Sequence, residues 1–169
     1  IDNTNFHLTA DQNGIICMAN RFGVLKYDGL DWEFYRTNSS VLSISITDDN
    51  TLYAGCIGEF GKLDFKDNKY QYIPLIQADS ITDHFLQTFE LNDFVYFLSE
   101  RNIYAYNEDS GEVRHITSGD HLNGYLYGKQ LYVNTGNDDL LSVKGFDFTR
   151  PYLPKTQTAS CRVLWDHLI

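Results

Sequence analysis

Four strand–turn–strand segments recur at nearly constant spacing along 169 residues, their runs alternate apolar and polar side chains, and none of the runs contains proline. These three observations predict an all-β fold of β-propeller blades. With Ile16, Tyr53, Tyr96 and Tyr132 taken as equivalent points, the spacings are 37, 43 and 36 residues. A four-stranded propeller blade occupies about 40–45 residues. The expectation is therefore a partial propeller over residues 1–148, of about four four-stranded antiparallel blades at 6–40, 41–78, 85–119 and 122–148. Residues 149–169 are expected to form an irregular tail or the start of a further element. Short, evenly spaced strands also suit a sandwich, but the fixed period favours the propeller.

The first blade is expected to hold strands at 6–9, 14–19, 23–27 and 32–35, with Asp28-Gly29 as its outer corner. The second has 41–46, 51–55, 61–65 and 70–73, with its corner at Asp67-Asn68. The third has 86–91, 94–98, 102–106 and 113–116, turning at Glu108-Asp109-Ser110-Gly111. In the fourth, 124–127, 130–134 and 140–143 are strands, and no outer strand is evident. Three of the third strands begin at or beside Gly23, Gly61 and Asn102, residue types that tolerate the positive φ of a tight turn. Asp79-Ser-Ile-Thr-Asp-His-Phe reads as an insertion-like connection with one helical turn capped by Asp79 or Ser80. Beyond Arg150, Pro151 and Pro154 break regular structure.

Composition excludes several classes of function. The 25 aromatic residues mark a globular chain whose rings are expected between blades, with Trp32 as one such anchor. Thirteen basic against 23 acidic side chains leave a formal charge of −10, the opposite of what phosphate neutralisation needs, so no nucleic-acid partner is expected in this region. No apolar stretch reaches the ~18 residues of a membrane span, so no membrane contact is expected here either. Cys17, Cys56 and Cys161 are odd in number and match no zinc spacing, which leaves free, buried or half-buried thiols. The chain opens on Ile1 and not on Met, and so reads as a piece of a longer protein with any export signal upstream.

Gly23-Val-Leu-Lys-Tyr-Asp-Gly29, followed by Trp32, Val41-Leu-Ser-Ile and Leu52-Tyr-Ala-Gly55, resembles the two-component regulator propeller repeat. That repeat runs as a Val-x-x-Ile strand, a polar turn, an aromatic-x-Gly strand and Gly-Leu-x-x-Tyr-Asp. The stretch Gly58-Glu59-Phe60-Gly61 is similar to the variant in sensor proteins of Bacteroidetes-type bacteria. The resemblance covers about residues 6–145 and is strongest over the first two repeats. The third has Asn102 for the usual Gly and Leu98 for a small residue, and the fourth has Leu140 at that turn. It implies an extracytoplasmic (periplasmic) sensor propeller of a hybrid two-component system or related regulator. In such proteins the propeller precedes a Tyr-rich immunoglobulin-like domain, a membrane helix and a kinase or DNA-binding regulator. It further implies a ligand that is often a carbohydrate fragment, and more than four blades, so that the open ends take the remaining blades or a second subunit.

No catalytic constellation stands out. The acids sit in turn clusters such as Asp48-Asp49, Glu108-Asp109 and Asp138-Asp139, where turn chemistry explains them better than a glycosidase pair does. Asn137-Asp138-Asp139 lacks the spacing of a calcium loop, no Gly-x-Ser-x-Gly elbow occurs, and His7, His115 and His121 lie in or beside strands. Gly55-Cys-Ile-Gly58-Glu-Phe-Gly61 is a hairpin corner and not a phosphate loop, because no helix follows it. Leu153-Pro-Lys-Thr-Gln157 departs from a sortase signal at Gln157. No cofactor, metal or enzymatic activity is expected.

Recognition remains, on the loops between second and third strands and between blades. Arg21, Glu59, Phe60, Arg101, Asn134 and Asn137 lie in those loops. Their planar hydrogen-bonding groups and an aromatic platform suit sugar hydroxyls. The alternative from another class is a protein-interaction or dimerisation propeller with no small ligand. A propeller-type carbohydrate-active enzyme is the third reading.

Overall fold

A computed structural model describes residues 4–66, 69–76, 82–136 and 139–151. They form four antiparallel four-stranded sheets, each built from strands consecutive in the chain, which is the blade architecture the sequence predicts. Blade 1 comprises β1 (Asn5–Ala10), β2 (Ile16–Asn20), β3 (Gly23–Tyr27) and β4 (Trp32–Arg36). Blade 2 comprises β5 (Val41–Ile46), β6 (Leu52–Cys56), β7 (Phe60–Lys66) and β8 (Lys69–Ile76). Blade 3 holds β9 (Phe85–Leu91), β10 (Phe94–Ser99), β11 (Asn102–Asn107) and β12 (Val113–Ser118). Blade 4 holds β13 (Asn123–Tyr127), β14 (Gln130–Asn134), β15 (Leu140–Lys144) and β16 (Asp147–Thr149).

Three features depart from expectation. β8 runs through Pro74, which pairs with Gly61 beside a register shift at Phe60/Gly61. An outer strand has ladder partners on one side only, so a proline there forfeits no obligatory bond. Blade 4 does have an outer strand, β16, although three residues are too few to show alternation. Trp32 packs within its own blade: it is 54% exposed and stacks on Tyr27, its cross-strand partner, with ring centroids 4.6 Å apart. The corner at 67–68, the capped turn at 79–81, Asn137, Cys161 and the tail beyond 151 lie outside the described residues.

The core lies between blades. Cys17, Ala19 and Val24 of blade 1 share one cluster with Val41, Ile44, Leu52, Ala54, Cys56 and Leu63 of blade 2. Tyr53 and Phe60 of blade 2 meet Phe85, Val95, Phe97 and Tyr106 of blade 3. Tyr96, Leu98, Ile103 and Ala105 of blade 3 meet Leu131, Val133, Leu141 and Val143 of blade 4. Period-2 alternation makes this possible, because each strand offers one row to the preceding blade and the other to the next. Polar contacts also cross the joints: Ser43 Oγ donates to the Phe85 carbonyl at 2.8 Å, and Gly145 N–H donates to Tyr96 Oη at 2.8 Å. Cys17 and Cys56 are free and buried, and burial pushes the Cys17 thiol up to about 11.

Candidate functional site

One end of the sheets carries the turns between second and third strands together with the connectors between blades. In three blades the last residue of the second strand closes the turn with its own side chain. Asn20 Oδ1 accepts from Phe22 N–H at 3.2 Å, Ser99 Oγ from Arg101 N–H at 3.1 Å, and Asn134 Oδ1 from Gly136 N–H at 2.9 Å. Short polar side chains at these positions favour such local closure over a longer strand. The turns are also tied to the chain entering the next blade: Gly119 N–H donates to the Arg101 carbonyl at 2.8 Å, and Leu122 N–H to that of Glu100 at 2.9 Å.

Blade 2 differs. Cys56 stands where the others have Asn or Ser, and the turn lengthens through Ile57, Gly58 and Glu59. This loop is pinned on both sides, Ile57 N–H donating to the Ser40 carbonyl at 3.0 Å and Gly58 N–H to the Asp83 carbonyl at 2.7 Å. Glu59 is only 4% exposed, and its carboxylate accepts from Asn38 Nδ2 at 3.1 Å and from Ser39 Oγ at 3.5 Å. Its place is beneath the connector from blade 1, which it holds in position. Phe60 is fully buried at the hub of the blade 2–blade 3 cluster, stacked on Phe97 at 4.1 Å, and is not on the loop surface. Arg21 and Arg101 are exposed on their turns, with the Arg21 guanidinium 5.8 Å from the ring centre of the exposed Phe22. Asn134 is partly buried in its turn-closing role. Among the described residues, Arg21, Glu59, Arg101 and Asn134 thus stand on four different blades at one end.

A second polar group at this end has no local signature in the sequence. Asp83 Oδ2 accepts from Ser99 Oγ at 3.0 Å and from Asn102 Nδ2 at 2.5 Å, while Asn102 Oδ1 accepts from Ser118 Oγ at 2.7 Å and lies 3.0 Å from His115 Nε2. Ser118 Oγ is also 3.1 Å from His115 Nε2. A serine beside a histidine invites comparison with a hydrolase. Here, however, the carboxylate grips the turn residues and not the imidazole, and the hydroxyl donates to an amide oxygen. The group fastens β10, β11 and β12 to the incoming connector. Among the described residues no set of three or more His, Cys, Asp or Glu side chains is arranged to hold a metal, and no helix is long and apolar enough to cross a membrane.

The opposite end concentrates acids in turns. Asp28 Oδ1 accepts from Leu30 N–H at 2.8 Å and Asp31 N–H at 2.7 Å, and these backbone bonds hold its pKa below the usual carboxylate range. Asp49 is lowered by the Thr47 hydroxyl and Thr51 N–H. Glu90 and Glu108 behave oppositely: burial, with neighbouring carboxylates, raises both, although the Tyr53 hydroxyl donates to Glu108 Oε1 at 2.7 Å and opposes the rise.

A raised carboxylate binds more protons folded than unfolded, so its contribution to stability falls as pH climbs from its unfolded value, about 4.5, through the raised one. His7, lowered by burial, works against this below about 6.5. The readout is therefore a difference: Glu108→Gln, which keeps an acceptor for Tyr53, is expected to gain stability over wild type at pH 7 and to lose that advantage near pH 4.5. Thermal denaturation at both pH values checks this, and a pH-independent difference would contradict it.

Neither a family model nor a curated protein matches the sequence. Solved structures do match the fold. The extracellular domain of BT4673 from B. thetaiotaomicron, a putative hybrid two-component system, aligns at a TM-score of 0.59 and 18% identity over 92% of this chain and 22% of that one. That of the putative hybrid two-component system BT3049 aligns at 0.61 and 13% identity over 91% of this chain and 23% of that one. The computationally designed Ika4 protein aligns at 0.68 and 10% identity over 86% of this chain and 93% of that one. The chain thus spans under a quarter of the length of the two bacterial structures. It has the all-β propeller-blade fold found in extracellular domains of hybrid two-component systems of Bacteroides.

Proposed function

We propose that this chain is a ligand-sensing, non-catalytic segment of the extracytoplasmic, periplasmic part of a two-component signalling protein, and that its ligand is an oligosaccharide. The observation that carries the reading is the fold it shares with extracellular domains of that kind. In support, one end of the sheets displays Arg21 and Arg101 on turns closed by fixed hydrogen bonds, beside the exposed ring of Phe22. Guanidinium groups donate to vicinal hydroxyls in a planar fork, and an uncovered ring packs against the apolar face of a pyranose. Because the turns of the first three blades are each bonded to the connector that follows, a ligand bridging two turns favours one relative setting of neighbouring blades. That bias is the signal, read by an effector outside this chain.

Isothermal titration of the chain against an oligosaccharide panel tests the proposal. Saturable binding is expected, weakened about tenfold or more by Arg101→Ala with no change in thermal midpoint, the loss of one charge-assisted contact being worth roughly 1.5–3 kcal/mol. Binding of a protein and of no sugar would remove the carbohydrate from the reading.

A further inference from the structure

The chain contains two Asn-Gly pairs, Asn13-Gly14 and Asn123-Gly124. In such a pair the glycine nitrogen is well placed to attack the asparagine side-chain carbonyl, because no Cβ shields it and the glycine backbone turns freely. Both asparagines are exposed, so exposure does not tell them apart. What differs is the glycine that follows each.

Gly124 is buried in β13, where a Cβ built on it falls 2.5 Å from Phe89 Cε2 and 2.8 Å from Leu98 Cδ2. Its N–H donates to Gln87 Oε1 at 2.7 Å, and Gln87 Nε2 donates back to its carbonyl at 3.3 Å. Asn123 Nδ2 is itself held, donating to Tyr125 Oη at 2.7 Å. Attack at this pair has to wait until β13 parts from blade 3. Gly14, by contrast, is exposed in the turn between β1 and β2, at the end of the sheet. Its φ is +81°, and nothing lies within 4 Å of the place a Cβ would take, so the Asn13 side chain has room to swing onto its nitrogen. The Gly14 N–H donates only within the same turn, to the Asp11 carbonyl at 3.1 Å.

We propose that Asn13 deamidates spontaneously in the folded protein, and that the fold protects Asn123. The Gly14 nitrogen loses its proton to solvent base and bonds to Asn13 Cγ. The bond from Cγ to Nδ2 breaks, and Nδ2 takes up a proton and leaves as ammonia. Water then opens the succinimide at either carbonyl, and nothing is oxidised or reduced. One opening leaves an aspartate; the other leaves an isoaspartate, whose backbone runs one carbon longer.

The turn bears on a joint between blades. Gln12 Nε2 donates from it to the Asp48 carbonyl and to Asp48 Oδ1 of blade 2, each at 3.2 Å. Asp11 Oδ1 shapes it by accepting from Asn13 N–H at 2.9 Å and Ile15 N–H at 2.8 Å. Either product adds a carboxylate beside Asp11, and the longer backbone of the isoaspartate also displaces the two amides that Asp11 holds. Ageing therefore loosens this tie between blades 1 and 2, whether or not a sugar binds.

Peptide mapping by mass spectrometry tests this, with the full 169-residue chain aged in mildly alkaline buffer, folded or in urea. The ratio of the Asn13 rate to the Asn123 rate is expected to be about tenfold or more higher in the folded chain than in urea, because only Asn123 must await local opening. A ratio that is unchanged or lower overturns the proposal, as does an Asn13 that converts in urea and not when folded. Asn13→Asp carries the new charge on a backbone of ordinary length. The isoaspartyl fraction, separated by chromatography, is expected to have a lower thermal midpoint than this variant, and an equal one overturns the loosening of the joint.

Discussion

Phe60→Ala is expected to lower stability by about 3–5 kcal/mol, the loss typical of a large aromatic deleted from a packed core. Against a total of roughly 5–15 kcal/mol for an ordinary domain, that is a large fraction. The ring is fully buried, stacked on Phe97 at 4.1 Å, set edge-on to Phe85 at 4.9 Å and tilted against Tyr104 at 5.5 Å. Three of its neighbours are aromatic side chains of blade 3, so the cavity opens between blades and neither sheet can close it alone. Urea denaturation gives the number. Phe65→Ala, at a ring 59% exposed on the same strand, is the comparison, with a cost under about 1 kcal/mol. Equal losses at the two positions would mean that the joint is not where this chain keeps its cohesion.

The second large effect belongs to the backbone. Gly23 opens β3 at φ +153°, and a Cβ built on it falls 2.0 Å from the Tyr35 carbonyl oxygen and 3.0 Å from Arg36 Cα. Those are atoms of the adjacent strand, so relief means parting β3 from β4 at the Gly23–Arg36 pair. Gly23→Ala is expected to cost about 3 kcal/mol. Gly29→Ala, at φ +99° with nothing within 4 Å of the new carbon, pays the conformational part alone, about 1 kcal/mol. Hydrogen exchange localises the difference: amides of β3 and β4 lose protection in the first variant and keep it in the second.

Strands were readable wherever alternation ran for four or more residues between turn residues, which covers most of the blades. β16 was hidden because Asp-Phe-Thr is too short to alternate, and the end of β8 because proline signals a break unless the strand is known to be an edge. Of the candidate loop residues, Arg21 and Arg101 lie on exposed turns closed by Asn20 and Ser99. Phe60 misled because it adjoins Gly58 and Glu59, yet it is already the first residue of β7 and its parity turns it inward. The carboxylate of Glu59 meets Asn38, 21 residues away, and Asp83 meets Asn102, 19 away. Contacts at that separation leave no local pattern in a sequence; only the stacking of blades creates them.

The three apolar clusters have a mechanical consequence. Each joint is a separate seam, and each seam is crossed by its own few hydrogen bonds. Tension applied along the chain therefore does not meet one barrier shared by the whole molecule. It peels one sheet from its neighbour, relaxes, and must begin again at the next seam. Such a body yields in steps, one seam at a time, and it absorbs a pull that would rupture a single-core domain at once.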